Sequence, residues 1–313
     1  MSATPRIAVP VDGSELAEQA IPYASAVAGR DGTVTLIHVM PRPEPLRGLF
    51  GTVMATVEDV ERMERDAAAQ MMDDIATRWT ERVGNAFSIA VTSGDPAESI
   101  LRVSGELEAT VLVMASRGHG ALGRLAFGSV ADRIARTSSI PVMVVNPPDS
   151  PRADDDPFAV RRVVVPLDGS EIAAEALPVA ADLAKATGAT VHLITAVNGA
   201  TMVMPTPIGS AYYPAELYQE IIDELIESGR ESQKEASNFL EEMGQTVTSV
   251  VIEGPTISAI ESQIEDGDVI VMTSHGRGGF QRWLLGSVAE KLVRSDLAPV
   301  VLVPAAARVA AST

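Results

Sequence analysis

Short apolar, β-branched runs recur along the chain, separated by stretches with helical spacing. Val111–Met114 and Val269–Met272 are continuous apolar runs. Such runs predict strands buried on both faces, hence a parallel sheet. Val34-Thr-Leu-Ile-His-Val39 and Ile140-Pro-Val-Met-Val-Val145 predict two more. Helices are predicted to begin near Ser14, Thr56, Pro96 and Ser129. From Thr56 to Val83, apolar residues fall at Val57, Val60, Met63, Ala67, Met71, Ile75 and Trp79, a helical ladder whose methionines read as core filler. Asp95-Pro96-Ala-Glu98 reads as a helix start: Asp N-cap, Pro at the first position, Glu closing a capping box. The order βαβαβαβαβ predicts an open, doubly wound α/β sheet of five parallel strands with flanking helices.

The whole pattern occurs twice. Ile7-Ala-Val-Pro-Val-Asp-Gly-Ser14 matches Val163-Val-Val-Pro-Leu-Asp-Gly-Ser170. Gly118 and Gly128-Ser129-Val130 match Gly276 and Gly286-Ser287-Val288, each pair of glycines separated by nine residues. The closing Pro141-Val-Met-Val-Val145 matches Pro299-Val-Val-Leu-Val303. The reading is therefore two domains, residues 1–147 and 161–313, joined by a polar linker over 148–160 that contains Asp154-Asp-Asp156.

Composition narrows the classes. A chain of 313 residues, 46% hydrophobic, can build two ordinary cores. A net charge of −18 repels phosphate backbones and anionic membranes, which excludes nucleic acid and membrane as partners. Without cysteine there is no disulfide, thiolate metal site or Cys nucleophile. The opening MSATPRIAVPVDGS has no basic segment leading into an apolar one, and no apolar run reaches membrane-spanning length, so a soluble cytoplasmic protein is expected.

The candidate chemistry lies where open α/β sheets bind ligands, beyond the carboxyl ends of the strands. Three segments per copy converge there. In the first copy they are Pro10-Val11-Asp12, the backbone around Val39, and the Gly118…Gly128-Ser129-Val130 loop with Ala115 before it. In the second they are Pro166-Leu167-Asp168, Ala196, and Gly276…Gly286-Ser287-Val288 with Thr273 before it. Free N–H groups at a Gly-Ser helix start, with the positive dipole end, suit phosphate oxygens. The alternative is that Ser129 with Asp132, and Ser287 with Glu290, form capping boxes. That leaves the second glycine nine residues upstream without a purpose. Asp12 and Asp168 read equally as ribose or adenine contacts and as turn residues. No G-x-x-x-x-G-K-[ST] motif exists, so the chain is not a P-loop NTPase. His38, replaced by Thr195 in the second copy, reads as a packed strand residue. His119 and His275 sit at different offsets and share no catalytic role, and Arg117 reads as solvated loop charge.

On these residues the chain resembles a tandem universal stress protein over roughly residues 5–146 and 161–304. The carriers are the V-P-x-D-G-S start, the His38-Val39 strand, the G-x9-G-S-V loop and the closing Pro-Val strand. The resemblance implies two Rossmann-like domains arranged as a pseudo-dimer through their last strands, with homodimerisation of the chain needing another surface. It implies ATP as cofactor, with Mg2+ or Mn2+ at the phosphates, and an unknown protein partner. By position, Asp12, Asp168 and the backbone at Val39 and Ala196 would meet ribose and adenine, and the glycines, serines and Val130 or Val288 the phosphates. The family motif has a further glycine where this chain has Ala115 and Thr273. A left-handed backbone there would make Thr a misfit and Ala a milder one. A merely close approach would be tighter for Thr. The function implied is an ATP-binding stress regulator. The alternatives are a slow ATPase and a nucleotide-free partner-binding module.

Overall fold

The computed structural model describes residues 4–42, 46–47, 53–116, 128–146, 158–198, 215–274, 285–295 and 297–305. The chain divides into two units, Met1–Ala159 and Val160–Thr313.

In unit 1 the order is β1 (Arg6–Pro10), α1 (Glu15–Glu18), α2 (Ile21–Ala28), β2 (Thr33–Met40), the short β3 (Leu46–Arg47) and β4 (Val53–Ala55), α3 (Val57–Val83), β5 (Phe87–Ser93), α4 (Pro96–Glu106), β6 (Val111–Ala115), α5 (Ser129–Thr137) and β7 (Val142–Val145). The main sheet of the unit runs β5-β2-β1-β6-β7 with every pairing parallel. Strands β3 and β4 form a separate antiparallel pair.

Unit 2 repeats the plan: β8 (Arg162–Pro166), α6 (Glu171–Ala174), α7 (Leu177–Thr187), β9 (Thr190–Val197), α8 (Ala215–Glu242), β10 (Val247–Glu253), α9 (Thr256–Glu261), β11 (Asp268–Thr273), α10 (Ser287–Arg294) and β12 (Val300–Val303). Its sheet runs β10-β9-β8-β11-β12, again all parallel. The doubly wound α/β class expected from the alternation is therefore present in both units.

The apolar runs form central strands because both of their faces are covered. Leu112, Val113 and all four residues of β7 are buried, as are Val269–Val271 and all of β12. From β1 the chain builds outward to β2 and β5 on one side. It then returns across β1 to add β6 and β7 on the other. The order reverses between β1 and β6, and in unit 2 between β8 and β11. A crevice at the carboxyl ends is the natural consequence of that reversal.

Two expectations need correction. Helix α3 does not bury its whole ladder: Met63 is 69% exposed and Val57 42%. The buried residues are Ala68, Met72, Ile75 and Ala76, displaced around the helix and confined to its middle turns. Met72 is core filler and Met63 is not. At α4, Asp95 does cap, accepting from the Glu98 N–H at 3.0 Å, with Pro96 in the first turn. The Glu98 carboxylate, however, takes Arg133 Nη2 at 2.6 Å, and Arg133 Nη1 lies 3.0 Å from both Asp95 oxygens. The hydrogen bond from the Glu98 N–H, and then the Arg133 guanidinium, hold the Asp95 carboxyl below its ordinary range. Phe158, inside the expected linker, is buried with its ring centroid 4.4 Å from that of Tyr23 on α2.

Candidate functional site

The first wall of each crevice is a tight turn. After β1, the Asp12 carboxylate Oδ1 accepts from the Ser14 N–H at 3.0 Å and from Ser14 Oγ at 2.6 Å. The same Ser14 Oγ accepts from the Ala17 N–H at 3.2 Å and so caps α1. Gly13 between them has φ +84, a conformation open to glycine. Unit 2 repeats this construction at Asp168, Gly169 (φ +77) and Ser170, with the same 3.0, 2.6 and 3.2 Å contacts. The Asp-Gly-Ser spelling thus encodes a turn, and one carboxylate oxygen serves it. Both carboxylates are also exposed at the strand ends. Ser14 and Ser170, which orient them, were legible only as neighbours in the repeated motif.

The second wall is a ledge. The last residue of β1 pairs Pro10 with Ile37, yet β2 continues to Met40. The Val11 N–H donates to Ile37 O at 2.8 Å, and the Gly94 N–H donates to Met40 O at 3.1 Å on the β5 side. Backbone groups alternate sides along a strand, so those of Val39 face the β1 side, beyond the end of that strand. Ala196 stands likewise between Ile194, which accepts from the Leu167 N–H at 2.8 Å, and Val197, which accepts from Gly254 at 2.9 Å.

The third wall is the Gly-Ser helix start. Gly128 is the N-cap of α5 and Gly286 that of α10, and no side chain caps either helix. This corrects the capping-box alternative. Ser129 and Ser287 are the first helical residues, one position too late to cap. Asp132 turns along the helix to Arg136 Nε at 2.8 and 2.9 Å, and Glu290 to Arg294 at 3.0 Å. The N–H groups of the first turn therefore keep no intrahelical partner, with the positive end of the helix dipole behind them. Each start is anchored to its strand: Gly128 N–H donates to Ser116 O at 2.8 Å, and Gly286 N–H to Ser274 O at 2.9 Å. Since β1 and β6 are paired neighbours, the Asp12 turn and the α5 start flank the same switch point.

Ala115 and Thr273 are the last residues of β6 and β11, buried and paired to Val145 and Val303. Among the described non-glycine residues only Glu108 has positive φ. The left-handed explanation for the family's glycine therefore fails here, and side-chain room is what distinguishes Ala from Thr. Gly118, Gly276, Arg117, His119 and His275 lie outside the described residues.

Behind the Asp12 turn a cavity of about 410 Å3 is lined by Gly13, Glu18 and residues of α3. A β-carbon on Gly13 would stand 3.0 Å from Met71 Sδ. The buried Glu18 on its wall takes Arg78 Nη2 at 2.6 Å and Trp79 Nε1 at 2.9 Å. Among the described residues no group of three or more His, Asp or Glu could hold a metal ion. The described side chains thus offer no protein-held divalent site, and a metal held by them would depend on oxygens of its ligand. No described helix is long and apolar enough to cross a membrane.

Two parallel, doubly wound sheets, each with an uncapped glycine helix start at its switch point, define a duplicated open α/β architecture. The model of the universal stress protein family matches residues 4–146 and again 159–304, so the chain belongs to that family, with two domains of it in tandem. A universal stress protein of Mycolicibacterium smegmatis is 29% identical over 304 residues, covering 95% of this chain and 96% of that protein. One from Methanocaldococcus jannaschii is 34% identical over 146 residues, 46% of this chain and 81% of the relative. The crystal structure of a universal stress protein from Archaeoglobus fulgidus superposes with a TM-score of 0.60, covering 96% of this chain and 98% of that one at 19% identity. That last likeness is one of fold.

Proposed function

We propose that each unit binds ATP at the carboxyl ends of its strands and that the protein acts as a nucleotide-dependent regulator in the stress response. The observation carrying this reading is the pair of uncapped Gly-Ser helix starts, at Gly128 and Gly286, each fastened to the strand beside the switch point. Phosphate oxygens would take the first-turn N–H groups and the Ser129 or Ser287 hydroxyl. One anion at a helix N-terminus contributes about 0.3–1 kcal/mol. Each charge-assisted hydrogen bond adds about 1.5–3 kcal/mol. Several together hold a triphosphate without the lysine of a P-loop. Asp12 and Asp168 would accept from ribose hydroxyls, and the outward backbone of Val39 and Ala196 would meet the adenine edge.

Binding is favoured over turnover by the roles left vacant. Hydrolysis needs a group that orients water at the terminal phosphate. The one acidic residue common to both sites, Asp12 or Asp168, is tied by Ser14 or Ser170 into the turn on the sugar side.

Mass spectrometry of protein purified without added nucleotide, followed by calorimetric titration with ATP, tests the proposal. Two sites per chain are expected, falling to one in Gly128→Val or Gly286→Val and to none in the double variant. No retained nucleotide and no titratable site in the wild-type chain would overturn it. Phosphate release above background, lost in Ser129→Ala, would move the reading to an ATPase.

A further inference from the structure

Residue Val11 is held at both ends of its backbone by consecutive residues of β2. Its N–H donates to Ile37 O at 2.8 Å, and its carbonyl lies 2.9 Å from Nδ1 of His38. A carbonyl oxygen can only accept, so Nδ1 carries the proton and donates. That fixes the ring: neutral His38 is the Nδ1–H tautomer, and the charged form keeps the same donor. The carbonyl of Val11 and the N–H of Asp12 belong to one planar peptide unit. Fixing the first therefore fixes the direction of the second, at the residue that opens the Asp12-Gly13-Ser14 turn.

Unit 2 lacks this tether. Its Leu167 N–H makes the matching bond to Ile194 O at 2.8 Å. The residue in the place of His38 is Thr195, buried and turned to α8. There Gln233 Nε2 donates to Thr195 Oγ1 at 3.2 Å and to Val250 O at 2.6 Å. The Gly229 backbone of the same helix packs on Thr195, whose Cγ2 would lie 3.3 Å from a β-carbon there. The two Asp turns have matching internal bonds but different foundations.

We infer that His38 is a positioning residue for the unit 1 nucleotide site: by donating to the Val11 carbonyl it locks the peptide that aims Asp12, and it makes the first site the tighter of the two. The inference rests on the ATP reading above, so the test has one arm that needs nucleotide and one that does not.

Both arms use the full chain with Gly286→Val, which silences the second site. His38→Thr installs the unit 2 residue and removes the donor. His38→Asn keeps an N–H donor near the place of Nδ1. With ATP, His38→Thr should raise Kd about five- to tenfold, the worth of one neutral hydrogen bond, while His38→Asn stays near the parent. Without nucleotide, amide hydrogen exchange across residues 11–15 should quicken in His38→Thr, remain slow in His38→Asn, and stay unchanged at residues 167–171. Equal Kd in parent and His38→Thr overturns the positioning role. So does a loss in His38→Asn as large as in His38→Thr. Unaltered exchange at residues 11–15 overturns the tether itself. If the parent binds no ATP, the nucleotide reading falls, and the exchange result still decides whether His38 locks the turn.

Discussion

Units 1 and 2 place their polar pins at opposite ends of matching sheets. In unit 2 the heavy pin is at the amino ends of the strands. Arg162, first residue of β8, makes two bonds of 2.9 and 2.7 Å to Asp268, first residue of β11, whose side chain is 1% exposed. The same carboxylate accepts from the Glu265 N–H at 2.7 Å, and Arg162 Nη2 also reaches Gln263 O at 2.8 Å. The hydrogen bond to Asp268, with that residue's charge and that of Glu265, raises the guanidinium's pKa above its ordinary range. In unit 1 the matching Arg6 bonds Glu108 at 3.1 Å with 42% and 75% of the two side chains exposed, and Thr110 stands where Asp268 would be. The carboxyl ends reverse the contrast, with His38 bracing the turn in unit 1 and no counterpart imidazole in unit 2. Duplicated domains can thus keep strand order and turn geometry while shifting where polar groups secure them.

The largest difference is expected at the arginines. Arg162→Leu leaves the Asp268 carboxylate buried without its cation and should cost about 3–5 kcal/mol of unit 2 stability. Arg6→Leu removes a solvated pair and should cost about 0–1 kcal/mol. Urea unfolding followed by hydrogen exchange, read separately for peptides of each unit, measures both. Similar losses at the two positions would break the contrast.

The second comparison concerns the strand ends under the proposed phosphate sites. Since neither Ala115 nor Thr273 sits in a left-handed backbone, the extra bulk and hydroxyl of the Thr273 side chain separate them. Thr273→Gly should tighten ATP binding in unit 2 several-fold, and Ala115→Gly should change unit 1 little. Single-site titrations in Gly128→Val and Gly286→Val backgrounds read the two separately. No gain from Thr273→Gly would remove bulk at this position as the reason for unequal sites.

Much of this was legible in the chain, and the failures have definite causes. Val111–Met114 and Val269–Met272 announced central strands because continuous apolarity has no other use in so short a run. The repeated Asp-Gly-Ser and Gly-Ser-Val spellings announced the turns and helix starts, since each depends on neighbours within a few residues. The capping-box alternative at Ser129 fails by one position: an N-cap is defined by where helical backbone begins, and glycine took that place. The α3 ladder misled because apolar spacing locates a stripe but does not say how far the sheet extends beneath it. The Arg162–Asp268 and His38–Val11 bonds join residues far apart in sequence, and no local pattern reports them. A charged residue opening the apolar run Asp268-Val-Ile-Val-Met was the one hint.

The smallest effect is a pH dependence confined to unit 2. His192 on β9 is buried, with Nδ1 2.8 Å from Thr248 Oγ1 on β10 and Nε2 without a hydrogen-bond partner. Burial, and then the nearby Arg162 cation, push its pKa below the ordinary value of 6.5, while Gln263, Asp268 and Glu265 oppose them more weakly. The unfolded chain therefore binds the proton first as the pH falls. Stability from neutral His192 is complete above pH 6.5 and drains away as the pH drops through the lowered folded value. Unit 1 has the half-buried Thr35 at this place in its second strand. Unfolding of the wild-type chain at about pH 7.5 and 5.5 should show unit 2 losing more stability than the His192→Thr variant does, with unit 1 the same in both. Parallel pH slopes in the two proteins would mean that His192 takes up its proton at the same pH in folded and unfolded chains, and the carboxylates common to both units would then be the source of any acid sensitivity.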